Sequence, residues 1–153
     1  MEQRVRVIAL CLFRRDDEIL VFEARDETKG ETFYRPLGGG VEFGERSRET
    51  VAREIKEEIG AEIKSLRFMT TLENIFTYNG RPMHEIVLVY EAEFVDDSFY
   101  KRNSMTVTED NGERLLAKWM RLGFFKDGKA PLYPDGLLEF IDLHGRAFRR
   151  KKR

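Results

Sequence analysis

The sequence predicts an α/β fold in which a mixed β-sheet lies between helices. Two apolar runs, residues 4–13 and 86–90, are nearly continuous, as expected for strands that are covered on both faces. Residues 47–59 have the spacing of an amphipathic helix, and Pro134 can open another helix near the C-terminus. Strands in the middle of the chain, with helices between and after them, indicate a layered α/β arrangement.

The first part of the sheet is predicted to contain three strands, at residues 4–13, 19–24 and 32–35. Polar turns at residues 14–18 and 29–31 separate them, and Pro36 keeps the residue before it extended. Cys11 lies in the first apolar run, so we expect a small buried side chain without a catalytic role.

Beyond the helix, the pattern predicts a hairpin. Residues 62–78 are expected to be extended, with a break near Glu73, and residues 84–95 form the returning strand. Asn79-Gly80 is a strong signal for a tight turn between them, which Arg81-Pro82 could lengthen.

The last third of the chain is predicted in three parts. Residues 96–108 are mostly polar and are expected to form a mobile flap over the site, whereas residues 114–122 form a strand around Trp119. A helix is expected to start at Pro134 and to end at Gly145. Its apolar face would be formed by Leu137, Leu138, Phe140 and Ile141.

Length and charge limit the choice of function. A chain of 153 residues is enough for one domain, which we place at residues 1–145 and follow with a basic tail at residues 146–153. The formal net charge is -1, so no global electrostatic field favours nucleic acid or an anionic membrane, and we expect neither as a partner.

The sequence also bears on the location of the protein. Because no apolar run could span a bilayer and no signal-peptide pattern opens the chain, we predict a cytoplasmic protein.

Three glutamates on the predicted helix suggest chemistry. On a helical wheel they lie at the edge of the apolar stripe: Glu54 and Glu58 on its shoulder and Glu57 just beyond. The stripe itself is formed by Val51, Ala52, Ile55 and Ile59. Like charges at these spacings destabilise a helix unless they are neutralised, and a hard cation such as Mg²⁺ takes oxygen ligands. Arg53, one turn from Glu49 and Glu57, offsets part of this charge but leaves Glu54 and Glu58 unpaired.

Three glycines, Gly38, Gly39 and Gly40, precede the helix and are predicted to form a loop. Glycine tolerates left-handed backbone conformations and close approach by another group, here a metal ion or a phosphate. The alternative is that the glycines only turn the chain.

The glycines and the charged residues together resemble the Nudix box. They follow the order Gly-x5-Glu-x7-Arg-Glu-U-x-Glu-Glu-x-Gly-U, where U is a bulky aliphatic residue, at Gly39, Glu45, Arg53, Glu54, Ile55, Glu57, Glu58 and Gly60. The last U is the small Ala61, and the preceding segment reads Arg-Pro-Leu-Gly-Gly-Gly where Leu-Pro-Gly-Gly is commoner. The resemblance implies a Nudix-like α/β/α sandwich in which the box is a loop-helix-loop.

The resemblance also implies roles for the glutamates. Glu57 and Glu58 match metal ligands, Glu54 matches a ligand or a base that orients water, and Glu45 matches an outer ligand. Arg53 matches the residue that orients these carboxylates.

Further groups complete the site that the resemblance implies. A backbone carbonyl of Gly38 or Gly39 would add a metal ligand. Family members often draw the base from a later loop, where Glu113 is the preferred candidate over Glu109 and Asp110. The alternative is that all three acids are simply solvated.

The implied reaction is hydrolysis of a phosphoanhydride. Two like charges about 4 Å apart cost on the order of 4 kcal/mol at an effective dielectric of about 20, so an acidic pocket needs a metal to bind pyrophosphate. Mg²⁺, with Mn²⁺ as an alternative, would neutralise charge and activate water. Arg35, Gly39 and Gly40 are candidate substrate contacts. Phe33, Tyr34, Phe76 and Tyr78 could stack on a base, although aromatic residues in strands usually serve packing.

The substrate stays open between a nucleoside diphosphate linked to another moiety and a nucleoside triphosphate. The ADP-ribose type of the family carries a proline near the position of Ile75 and Phe76, whereas the diadenosine-polyphosphate type carries a tyrosine near Tyr78. The alternatives are a hydrolase that removes oxidised nucleotides and a non-catalytic module that senses nucleotides or associates with RNA. The fold often dimerises, so a homodimer is also open.

Overall fold

A computed structural model describes residues 2–144. The predicted basic tail, and the predicted helix end at Gly145, lie outside these residues. In chain order the elements are β1 (Val5–Leu12), β2 (Arg14–Arg15), β3 (Glu18–Asp26), β4 (Glu31–Arg35), β5 (Leu37–Gly40), α1 (Ser47–Ile59), β6 (Ile63–Tyr78), β7 (Arg81–Phe94), a 3₁₀ helix (Asp97–Lys101), β8 (Ser104–Thr108), β9 (Arg114–Arg121), α2 (Leu122–Lys126) and α3 (Leu137–Leu143).

The strands form two sheets. The first has the order β5-β1-β7-β6, in which β1 and β7 are parallel and the other pairs are antiparallel, so this sheet is mixed. The second has the order β2-β3-β9-β8, with β4 also paired to β3. Only Phe13 separates β1 from β2, and its carbonyl accepts a hydrogen bond from the Leu20 amide at 3.3 Å, which links the two sheets.

The core has two halves, one on each side of the strands. Along β1, Ile8, Leu10 and Leu12 pack with residues of α2 and α3, while Ala9 and Cys11 pack with residues of α1. Each of these five side chains is 2% exposed or less. The continuous apolar run of β1 therefore reflects burial on both faces, and the α/β/α layering predicted from the sequence is confirmed.

Helix α1 has the predicted bounds. The Arg46 amide donates to Glu49 Oε1 at 3.0 Å at the start, and Gly60 ends the helix in the left-handed conformation with φ 71°. The predicted apolar stripe is wrong at Ala52, which is exposed. The buried face instead runs through Val51 and Ile55 and includes the two carboxylates that the wheel placed on its shoulder.

Helix α1 is followed by the longest hairpin. β6 continues through Glu73 without the predicted break, and its irregularities lie earlier, between Lys64 and Arg67 and between Phe68 and Thr70. Asn79-Gly80 forms the tight turn, and Tyr78 pairs directly with Arg81, so the loop is not lengthened.

The predicted flap at residues 96–108 is wrong. These residues form the 3₁₀ helix and β8, and Phe99, Met105 and Val107 are buried in the core. The Trp119 indole donates to the Phe99 carbonyl at 3.3 Å. Polar residues alternate with buried ones in this segment, so its high polarity conceals a half-buried strand.

Two further differences concern the C-terminal region. Helix α2 directly follows β9 and was not predicted. Helix α3 begins after Gly136 rather than at Pro134, and Leu137 and Ile141 are its buried residues. Within residues 2–144, no helix has both the length and the apolarity of a membrane span.

Candidate active site

Arg53 lies at the centre of the carboxylates that α1 carries. Its Nε and Nη2 donate to the two oxygens of Glu45 at 2.7 and 2.9 Å. Its Nη1 donates to Glu54 at 2.9 Å and to Glu57 at 3.3 Å, and Nη2 also reaches the carbonyl of Gly40 at 3.2 Å. The inference that Glu54 would be left unpaired is therefore wrong, because a guanidinium presents several donors at once.

Glu45 is saturated with hydrogen-bond donors. Thr50 Oγ1 donates to it at 2.6 Å and the Glu42 amide at 3.2 Å, in addition to Arg53. The hydrogen bonds from Arg53, followed by that from Thr50, lower the pKa of Glu45 to about 2. Glu45 thus fixes Arg53 in this structure, and its role as an outer metal ligand stays a prediction.

Glu54 packs directly on Gly39. Its side chain is 5% exposed, and a Cβ at Gly39 would lie 2.4 Å from Glu54 Cδ, so any larger residue at this position would displace the carboxylate. Burial, followed by the charge of Asp110, raises the pKa of Glu54. The glycine is needed here because strand and carboxylate approach each other this closely.

Glu58 faces the same strand one turn further along α1. Its Oε1 accepts a hydrogen bond from the Gly38 amide at 3.0 Å, and the residue is 4% exposed. Burial, followed by the charges of Glu109 and Glu54, raises the pKa of Glu58 to about 9.

The three glycines do not form the predicted loop. They lie in β5, which pairs with β1. A Cβ at Gly38 would lie 2.1 Å from the Ala9 carbonyl oxygen, so Gly38 allows β5 to pack closely against β1. The prediction failed because such close packing depends on a distant strand.

The arrangement includes a group of carboxylates suited to a cation. Glu54, Glu57 and Asp110 each offer one oxygen, and these oxygens all lie within 4.8 Å of one another. Arg53 hydrogen-bonds two of the three, Glu54 and Glu57. Carboxylate oxygens are the donors that hard divalent cations prefer, so the residues present fit Mg²⁺ or Mn²⁺.

Asp110 comes from the loop between β8 and β9, and the sequence ranked it below Glu113. Glu113 lies at the other end of this loop, exposed, with its amide bonded to Asn111 Oδ1 at 2.9 Å. No spacing pattern could have selected Asp110, because the loop reaches α1 only through the folding of the second sheet.

Asp110 and Glu113 also line a cavity of about 670 Å³. Its wall carries charged residues, among them Arg6, Arg35 and Glu85, and aromatic residues, namely Phe22, Phe33, Phe76, Tyr78 and Tyr133. The Phe33 ring contacts the rings of Tyr78 and Tyr133, at centroid distances of 5.9 and 5.3 Å. Tyr34, by contrast, is 6% exposed and packs in the core, so the suggestion that it stacks on a base is wrong.

Comparison with known proteins agrees with this geometry. Residues 2–135 match the family model of the NUDIX domain. The chain belongs to the Nudix family. The family resemblance and the enzyme class that it implied, a Nudix-type pyrophosphohydrolase, are confirmed.

Curated Nudix relatives include enzymes that carry the name NAD-capped RNA hydrolase NudC. Over 117 residues the chain is 31% identical to the protein of Klebsiella pneumoniae (strain 342) and 40% identical to that of Escherichia coli O9:H4 (strain HS). Each match covers 74% of this chain but only 39% of the relative, so the chain spans well under half the length of these relatives.

Solved Nudix structures have the same fold. A MutT NUDIX hydrolase from Burkholderia pseudomallei aligns with a TM-score of 0.59 at 26% identity, over 79% of this chain and 86% of that one. A NUDIX hydrolase from Nitrosomonas europaea aligns with a TM-score of 0.65 at 16% identity, over 95% and 92%. The second likeness concerns the fold alone.

Proposed function

We propose that the chain hydrolyses a phosphoanhydride bond in a nucleoside diphosphate linked to another moiety, with Mg²⁺ as cofactor. The observation that carries this proposal is the meeting of Glu54 and Glu57 with Asp110, which also lines a cavity with arginine and aromatic residues on its wall. Its volume of about 670 Å³ suits a small ligand. Arginines suit phosphates, and aromatic rings suit a base.

The curated relatives favour this substrate class over nucleoside triphosphates. Their name states hydrolysis of NAD-capped RNA, and in NAD a pyrophosphate joins two nucleosides. A capped RNA is therefore a substrate to test, although the charge of the chain led us to expect no nucleic-acid partner. The likeness to a MutT hydrolase keeps nucleoside triphosphates, oxidised ones included, as the second candidate.

Each site residue has a proposed role. Glu54, Glu57 and Asp110 would hold the cation, and Glu58 is the next candidate ligand. A divalent cation bound there would offset the charge of the pyrophosphate and activate water for attack on phosphorus.

The remaining residues would position the reacting groups. Arg53 holds Glu54 and Glu57 in place, and Glu45 in turn holds Arg53. Glu54 is also the proposed base, because it belongs to the cluster and burial raises the pKa of its carboxyl group towards the working pH. Glu113, on the wall of the same cavity, is the second candidate base.

A substrate panel tests the proposal. It contains NAD, ADP-ribose, a nucleotide sugar, a dinucleoside polyphosphate, NAD-capped RNA and plain and oxidised nucleoside triphosphates, each with Mg²⁺ and with chelator. We expect metal-dependent release of nucleotide products from the linked diphosphates. Glu57→Gln should lower the rate at least about 100-fold, whereas the control Glu62→Gln, an exposed acid beyond α1, should not.

Binding without turnover would contradict the proposal. If no member of the panel is turned over although nucleotides bind, the chain is a binding module that keeps the fold. The predicted cytoplasmic location and the homodimer stay predictions.

A further inference from the structure

A buried carboxylate on the cavity wall connects two arginines. Glu85, 2% exposed, lies on β7 opposite Arg6 of β1. Its Oε2 is 3.6 Å from Arg6 Nη1, and its Oε1 is 3.4 Å from Arg35 Nη2. All three residues line the cavity, and we call them the Arg6–Glu85–Arg35 triad.

The ion pairs of the triad are long, and one of its donors has no acceptor. Two guanidinium groups share one carboxylate, so the triad by itself carries one net positive charge on a wall whose other charged residues are mostly acidic. Both contacts are longer than the 2.7–2.9 Å or so of a strong charge-assisted hydrogen bond. In addition, Arg35 Nε is buried and has no hydrogen-bond partner among residues 2–144. A buried donor without an acceptor is costly, so a group that supplies acceptor oxygens would be favoured there.

The triad also lies next to the Nudix-box residues. A Cβ at Gly40 would be 3.6 Å from Arg6 Nη2, and the Gly40 carbonyl accepts a hydrogen bond from Arg53. On the other side, the charge of Arg35 acts to lower the pKa of Glu58 and of Glu109, which places it within electrostatic reach of both. An anion bound to the arginines would therefore lie close to Glu58, the next candidate ligand of the cation, and in the same cavity as Asp110.

We propose that Arg6 and Arg35 form a subsite for one phosphate group of the substrate, and that Glu85 is the positioning residue that holds both guanidinium groups. The fork of an arginine matches two oxygens of a phosphate, and a rotation of the Arg35 side chain, which is 21% exposed, would bring its buried Nε within reach of them. Glu85 itself does not contact the phosphate, because it is buried and carries the same sign of charge. This inference rests on the proposed function and adds to it the residues that select a pyrophosphate.

Binding of an analogue that cannot be hydrolysed tests the subsite without turnover. The probe is α,β-methylene ADP with Mg²⁺, measured by calorimetry. Arg35→Gln should weaken its binding roughly 10- to 100-fold, as expected for hydrogen bonds to a charged group, and Arg6→Gln, whose side chain is half exposed, by less. The matched control is Arg4→Gln, an exposed arginine on the same segment, which should stay within about twofold.

The variant Glu85→Gln tests whether Glu85 positions the two guanidinium groups or only neutralises their charge. If Glu85 only neutralised the arginines, its removal would tighten binding of the anion. Because it positions them, we expect weaker binding, a higher KM and a kcat within about threefold of wild type. In a background with both Arg6→Gln and Arg35→Gln, Glu85→Gln should cause no further loss, since it acts through these two residues.

The outcomes distinguish this inference from the proposed function. Unchanged affinity in Arg35→Gln, or no binding of the probe to the wild type, overturns the subsite even if substrates are hydrolysed. Probe binding that depends on both arginines, without turnover of any panel member, supports the subsite and contradicts the proposed hydrolysis of these substrates. If Glu85→Gln does not fold, the two arginine variants still decide whether the phosphate binds there.

Discussion

The Gly38 amide donates a hydrogen bond to Glu58 Oε1 across 3.0 Å, and this bond connects β5 to the buried face of α1. It satisfies one oxygen of a carboxyl group that is almost fully removed from water. A single amide does not offset the loss of hydration, and Glu54 and Glu109 add like charge. Without a cation, Glu58 therefore favours its protonated form, which has consequences for stability.

The first prediction concerns Glu58→Gln and pH. Folding raises the pKa of Glu58 from 4.5 to about 9, so the folded state binds the extra proton and loses stability as pH rises through this range. Glutamine resembles the protonated form and has no such loss. With chelator present, we expect similar unfolding free energies for variant and wild type near pH 4.5 and a growing advantage of the variant towards pH 8, by up to about 1.4 kcal/mol per pH unit.

Urea unfolding at several pH values measures this difference, and Glu62→Gln serves as the exposed control. Parallel stability curves for Glu58→Gln and wild type would show that Glu58 is ionised in the folded protein.

The second prediction is that Gly39→Ala displaces Glu54. A Cβ would come 2.4 Å from Glu54 Cδ, so the carboxylate or the strand must move. We expect about 1–3 kcal/mol of destabilisation from overpacking and a large fall in turnover. Thermal unfolding and the substrate panel measure the two effects. Gly123→Ala is the control, because nothing lies within 4 Å of a Cβ there, and normal activity in Gly39→Ala would contradict the contact.

The third prediction compares the effects of Asp110 and Glu113 on the Mg²⁺ requirement. Asp110 offers an oxygen to the cluster with Glu54 and Glu57, whereas Glu113 does not belong to it. Asp110→Asn should therefore raise the Mg²⁺ concentration for half-maximal rate by roughly tenfold, while Glu113→Gln leaves it unchanged. Titration of Mg²⁺ at saturating substrate measures this. The reverse ranking would restore Glu113 as the functional acid of the loop.

The fourth prediction is that Arg53→Lys impairs the site although the charge is kept. An ammonium group cannot reproduce the paired hydrogen bonds to Glu45 together with those to Glu54 and Glu57. We expect the rate to fall about 10- to 100-fold, as for other groups that orient metal ligands. Arg48→Lys, at an exposed position of the same helix, should behave as wild type. Equal rates for the two variants would argue that Arg53 supplies only charge.

Local patterns explain what could be predicted about the fold. The bounds of α1 and its end at Gly60 follow from helical spacing and from the need for a left-handed residue, both of which are local. The Asn79-Gly80 turn is local as well. The interpretation of residues 38–40 as a loop failed because the partner of this strand, β1, lies far away in the chain. The interpretation of residues 96–108 as a flap failed because this segment forms the 3₁₀ helix and β8, whose buried residues alternate with polar ones.

In the candidate active site, too, local patterns could be predicted and contacts between separate segments could not. By itself, the sequence determined the Nudix box, the helix that carries it and hence the family, because the box is one continuous segment with helical periodicity. Only the tertiary structure decided that Asp110 joins Glu54 and Glu57, that Glu58 turns to Gly38, and that Glu85 lies between two arginines. These contacts arise where separate strands and loops pack together, and the spacing of residues along one segment does not encode them.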